Sequence, residues 1–104
     1  MLESTVWRQY HKDNSFRAFL SDSCVLNIDD LIEDDKELYG VLKAKLTKKE
    51  VKLFAMDSAK IDDEELKKEF SYDNEALVQA KFKLYKKLKQ DKTRLSFRIN
   101  TNQL

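Results

Sequence analysis

Apolar residues recur along this chain at helical spacing. Ile28, Leu31, Ile32, Leu38, Tyr39, Leu42 and Leu46 fall on one stripe at a 3.6-residue period, which predicts a helix over 28–45 capped by Asn27 or Asp29. Gly40 lowers the helicity of that segment without breaking the stripe, so one helix with room for a kink is expected. A second helix opens at Thr47-Lys48-Lys49-Glu50, a capping box, and Val51, Phe54 and Ala55 form its buried face. A third follows Asp62-Asp63-Glu64-Glu65, which places acids at the positive end of the helix dipole, and buries Leu66 and Phe70. The fourth starts after Asp73, with Leu77, Val78, Phe82, Leu84, Tyr85 and Leu88 on a broad apolar face and lysines elsewhere.

The two ends follow other patterns. Trp7, Tyr10, Phe16, Phe19 and Leu20 show no period, and a short helix near Phe16–Leu20 is expected there. Thr93 to Asn100 alternates polar and apolar residues as a half-buried strand does, with Thr5–Tyr10 or another chain as its partner. The expected architecture is mainly α: a small helical bundle in a single domain, with short β segments at the two termini. Its parts are an N-terminal aromatic segment 1–26, a four-helix core 27–90 and a C-terminal extension 91–104.

Composition narrows the chemistry. The 104 residues include one glycine, no proline, one cysteine and one histidine. A phosphate-cradling loop or dinucleotide fingerprint needs several glycines, so nucleotide-loop enzymes are excluded. Cys24 cannot close an internal disulfide, and with only His11 beside it a structural zinc site would need carboxylates. No cofactor or metal is expected. The N-terminus lacks a basic start with an apolar run, and no stretch approaches the ~20 apolar residues of a membrane span. A cytoplasmic protein without membrane contact is the expectation, reinforced by the cysteine usage.

Charge is balanced overall and strongly segregated along the chain. The net charge is only +1 although 38% of residues are charged. Residues 1–40 carry 4 basic and 9 acidic side chains, whereas residues 41–104 carry 16 and 10. Within 74–98, Lys81, Lys83, Lys86, Lys87, Lys89, Lys92, Arg94 and Arg98 face only Glu75 and Asp91. The fourth helix is the basic one.

The run Leu46-Thr47-Lys48-Lys49-Glu50, Ile61-Asp62-Asp63-Glu64-Glu65-Leu66, Phe70-Ser71-Tyr72-Asp73, Leu77 and Lys86-Lys87-Leu88-Lys89 resembles the helix-turn-helix of bacterial sigma-factor region four and response-regulator output domains. The resemblance covers residues 46–90, about half the chain. It implies that Asp62–Phe70 supports a recognition helix over Asn74–Gln90, whose first turns enter the major groove. It implies transcription-associated DNA binding, with Asn74, Glu75, Val78 and Gln79 near the bases and Gln79 suited to adenine. Lys81, Lys83, Lys86, Lys87 and Lys89 would meet phosphates.

A second reading stays open. Lys67, Ser71 and Lys81 stand where that family has a small residue, a turn glycine and an apolar residue. A scaffold that does not read the groove would instead dock proteins such as transcription machinery. Its docking residues would be Asp30, Glu33 and Asp34 of the acidic cluster 29–37, or Trp7 and Tyr10. That cluster could equally cover the basic helix, and paired C-terminal segments would make a homodimer. No nucleophile, base and orienting acid can be assembled by spacing, so His11 reads as a surface histidine, Cys24 as a buried inert thiol, and the protein as a non-enzyme.

Overall fold

In the computed structural model, residues 5–11 and 16–99 are described. The expectations that involve Asn100 and the end of the C-terminal extension lie outside them. The elements in order are α1 (Val6–Tyr10), α2 (Phe16–Cys24), a 3-10 turn (Ile28–Asp30), α3 (Asp35–Lys45), α4 (Lys48–Ser58), α5 (Asp63–Phe70), α6 (Asn74–Lys89), α7 (Asp91–Arg94) and a second 3-10 turn (Leu95–Phe97). The described chain is all-α, apart from one antiparallel bridge between Leu31 and Arg98.

α4 runs through the middle of the core. Its capping box forms as its residues dictate, with Thr47 accepting from the Glu50 amide and Glu50 accepting from that of Thr47. Val51, Leu53, Phe54, Ala55 and Met56 are all buried, so nearly the whole circumference of the helix is covered. α1 packs along one side and α5 and α6 along another. Phe54 sits between them, its ring 5.4 Å from that of Trp7 and 6.5 Å from that of Tyr85.

Four expectations are corrected. The helix foreseen over 28–45 begins at Asp35, because Asp34 accepts from the Lys36 amide and starts the helix there. Asn27 caps only the 3-10 turn, and Ile28 is left exposed. Between these two starts the backbone pairs with the returning tail: the Ile32 amide donates to Phe97 O at 2.9 Å, and the Ile99 amide to Asp30 O at 2.7 Å. The strand foreseen over 93–100 is α7 and a 3-10 turn as far as Phe97, and its foreseen partner, Thr5–Tyr10, contributes α1. The extended segment required for strand-paired dimers is therefore not formed among the described residues. Thr93 and Phe97, four residues apart, are the buried pair, so a helical period outcompetes the alternation. The helix near Phe16–Leu20 continues to Cys24, where Arg94 donates to the carbonyls of Cys24 and Val25, both at 2.9 Å.

His11 is the fourth correction, being buried rather than on the surface. Its ring stacks on Trp7 with centroids 3.9 Å apart, and Nε2 lies 3.0 Å from Ala55 O. Cys24 is buried as expected. Desolvation pushes its thiol up to about 12, only partly offset by the Arg94 guanidinium, so the group stays protonated.

Among the described residues three helices end in left-handed residues, and none of these is glycine: Val25 (φ 55°), Lys60 (φ 62°) and Ser71 (φ 58°). In each case the next amide reaches back to close the turn, Leu26 to Ser21 O, Ile61 to Met56 O and Tyr72 to Lys67 O. The left-handed region costs an L-residue roughly 1–2 kcal/mol, most severely a β-branched one. The one glycine, Gly40, instead lies inside α3 on an exposed face, with nothing within 4 Å of where a Cβ would be. Gly40→Ala is expected to raise stability by about 1 kcal/mol. Val25→Gly, at an exposed position, is expected to raise it by a similar amount by relieving the turn. Urea midpoints of the two variants check both, and a lowered midpoint in either would refute the corresponding backbone argument.

Candidate nucleic-acid interface

α5 and α6 are joined by Ser71, Tyr72 and Asp73 and pack together against α4. Asp62 caps α5 by accepting from the Glu65 amide, and Asp73 caps α6 by accepting from the Ala76 amide at 2.7 Å. The turn holds its shape without glycine because Ser71 takes the left-handed conformation and the Phe70 and Tyr72 rings stack across it. Leu66 and Phe70 of α5 and Leu77, Leu84 and Leu88 of α6 turn inward.

α6 carries two unlike faces. At about 100° per residue, Leu77, Leu84 and Leu88 form the core stripe. Glu75, Val78, Gln79, Phe82, Lys83, Lys86 and Lys89 share the opposite arc, and all seven are exposed, whereas Asn74 lies nearer the core stripe on the side of α5. Val78 is 66% and Phe82 65% exposed, which corrects their expected place on the buried face. The signal was present in the sequence. Val78 and Phe82 lie about 100° or more around the helix from Leu77 and Leu84, too wide an apolar arc for a single packing surface to cover. An open groove beside them is lined by Val78, Phe82, Tyr85, Lys86, Lys89 and Gln90.

The lysines divide into two groups. Lys81 and Lys87 are tied down at the edges of the helix. Lys81 Nζ lies 3.2 Å from Asp57 and 2.9 Å from Asp63, and Lys87 Nζ lies 2.8 Å from Glu50. Tyr85 Oη donates to Asp57 Oδ2 at 2.5 Å, joining the same cluster. Burial, then the hydrogen bond to Asp57 and its charge, push the Tyr85 hydroxyl well above its usual range. Burial would lower the Lys81 ammonium, but Asp63 and Asp57 outweigh it and raise it. Lys83, Lys86 and Lys89 make no ion pair among the described residues, and Lys86 Nζ lies 5.7 Å above the Phe82 ring. Asn74 Oδ1 accepts from Lys67 Nζ at 2.6 Å, while Gln79 is exposed.

The residues considered for protein docking lie elsewhere. Trp7 is 2% exposed and belongs to the core, whereas Tyr10 is half-buried. Asp30, Glu33 and Asp34 are exposed, and Asp34 also serves as the α3 cap. The neighbouring Asp35 pairs with Arg17 at 3.0 Å. Among the described residues the acids paired with α6 are Glu50, Asp57 and Asp63, so the 29–37 cluster does not cover the basic helix. Among the described residues there is no group of His, Cys, Asp and Glu able to hold a metal ion, and no helix long and apolar enough to cross a membrane. Comparisons with models of protein families, with curated proteins and with solved structures find no match for this chain.

Glu50 joins the α4 cap to α6. Burial raises its carboxyl, but the Lys87 ammonium and the Thr47 amide and hydroxyl outweigh this and hold it below the usual 4.5. Its folded value is therefore depressed, and the stability it contributes is present above the unfolded value and lost as pH falls through the folded one. Lys87→Met is expected to lower the urea midpoint at pH 7 and to leave it progressively closer to wild type as pH falls below the usual glutamate range and Glu50 takes up a proton. An equal deficit at neutral and acid pH would show that the pair contributes nothing.

Proposed function

We propose that the protein binds duplex DNA by laying the outer face of α6 in the major groove, as a transcription-associated factor without catalysis. The observation that carries this reading is the composition of that arc. Glu75 and Gln79 bring acceptors and a donor toward the helix start, and Lys86 and Lys89, with Lys83 alongside, lie further on with no carboxylate partner among the described residues. Major-groove readout needs polar side chains on the first turns and phosphate contact needs free cations beside them. Gln79 suits adenine and Glu75 suits the cytosine amino group. The resemblance of residues 46–90 to sigma-factor region four supports the same placement of α5 and α6.

The acidic start of α5 would repel phosphates if it were free. Most of it is engaged within the protein: Asp62 caps the helix, Asp63 binds Lys81 and Glu64 binds Lys67 at 2.8 Å. Lys81 and Lys87 act in this reading as braces that set the angle of α6, and phosphate contact falls to Lys83, Lys86 and Lys89. A protein-docking function is the second reading, favoured by the exposure of Val78 and Phe82 on the same helix.

Fluorescence anisotropy of a mixed-sequence duplex, titrated at low and moderate salt, tests the proposal. Lys86→Ala combined with Lys89→Ala is expected to weaken binding and to reduce the slope of log affinity against log salt by about 2. Both side chains are exposed and make no ion pair among the described residues, so the fold is expected to survive, which circular dichroism checks. Undetectable binding by the folded wild-type protein at low salt would reject the DNA reading in favour of the docking one.

A further inference from the structure

The outer α6 face is polar or charged except along the margin that borders Tyr85, which is apolar. Val78 and Phe82 lie one turn apart and about two-thirds exposed, flanked by Glu75, Gln79, Lys86 and Lys89. Neither side chain supports the fold: the core stripe of the helix is Leu77, Leu84 and Leu88. Two large apolar side chains held in water are unfavourable in the free protein. In the major groove the one apolar group on base-pair edges is the thymine 5-methyl. Lys86, whose ammonium now lies over the Phe82 ring, has phosphate as its alternative partner, and moving there would uncover the ring.

We propose that Val78 and Phe82 read thymine methyl groups, so that the ligand of this face is duplex DNA presenting thymines to the major groove. This rests on the DNA-binding reading above and adds its chemical specificity. Phe82 and Val78 lie about 60° and 100° around the helix from Gln79, so that Gln79 would meet an adenine while they meet the methyl groups of thymines on its Tyr85 side. A face designed only for phosphate would need neither side chain.

The test uses an alternating A·T duplex and the same duplex with every thymine replaced by deoxyuridine. The pair differs only by the 5-methyl groups, and the alternating repeat presents them in every register. Wild-type protein at constant salt is expected to bind the thymine duplex several-fold more tightly, about fourfold for each methyl buried. The Val78→Ala, Phe82→Ala double variant is expected to bind both duplexes alike, near the wild-type affinity for the uracil form, because its lysines are intact. Equal wild-type affinity for the two duplexes would overturn methyl readout while leaving DNA binding standing, as would undiminished discrimination by the variant. Absence of binding to either duplex would overturn both proposals and assign the Val78–Phe82 stripe to a protein partner.

Discussion

The structure depends on burying α4 from several sides at once. Phe54 is the point where this is achieved, since it meets Trp7 of α1 and Tyr85 of α6 in one aromatic cluster. α1 has only five residues and would not persist as an isolated helix, given the cost of nucleating one. It is helical because Trp7, stacked on His11 and 5.2 Å from Phe16, closes the core over α4. Tyr85 extends the same contact to the surface: its ring meets Phe54 while its hydroxyl holds Asp57. The aromatic N-terminal segment and the basic helix thus both meet the one side chain.

Around that core, polar side chains decide where helices start and which way they point. Five helices begin at a Thr or Asp whose oxygen accepts an amide of the first turn. The ends are set with less economy, because left-handed turns fall on valine, lysine and serine while the glycine lies mid-helix. The closing hydrogen bonds and the packing of neighbouring helices must therefore hold conformations that the residues themselves resist. Arg94 does this for α2 from 70 residues away in the chain by donating to the carbonyls at its end. Lys81 and Lys87 do the equivalent for α6, attaching its two edges to carboxylates of α4 and α5.

Much of this was legible in the sequence, for local reasons. The Thr47–Glu50 box, the Asp62 and Asp73 caps and the inward faces of α4 and α5 follow from contacts within a few residues of one another. The failures arise where distant segments compete for the same backbone. Asp30 and Ile32 exchange hydrogen bonds with the tail, which shortens α3 and turns an alternating pattern into a helical one. His11 looked like a surface residue because nothing in its neighbours reveals that Trp7 will stack on it beneath α4. The lysines of α6 could not be sorted by sequence either. Which of them find a carboxylate depends on how α4 crosses the helix, whereas the wide apolar arc that exposes Val78 and Phe82 was already visible in their spacing.

The same sorting gives the outer face its character. A helix with all its lysines free would be a uniform cation, able to attract any polyanion with no preference for orientation. Bracing Lys81 and Lys87 removes charge from the two edges and leaves it on Lys83, Lys86 and Lys89 toward the C-terminal half. The first turns keep Glu75 and Gln79, which would be poor phosphate contacts and are suited to base edges. Attraction is thereby displaced along the helix from the residues able to discriminate. In the proposed DNA-binding role, that separation would let cations fix position while the polar and apolar side chains of the first turns respond to what lies in the groove. The internal ion pairs of α6 join it to α4 and α5, and under the proposed function they would also partition its surface into a part that holds and a part that reads.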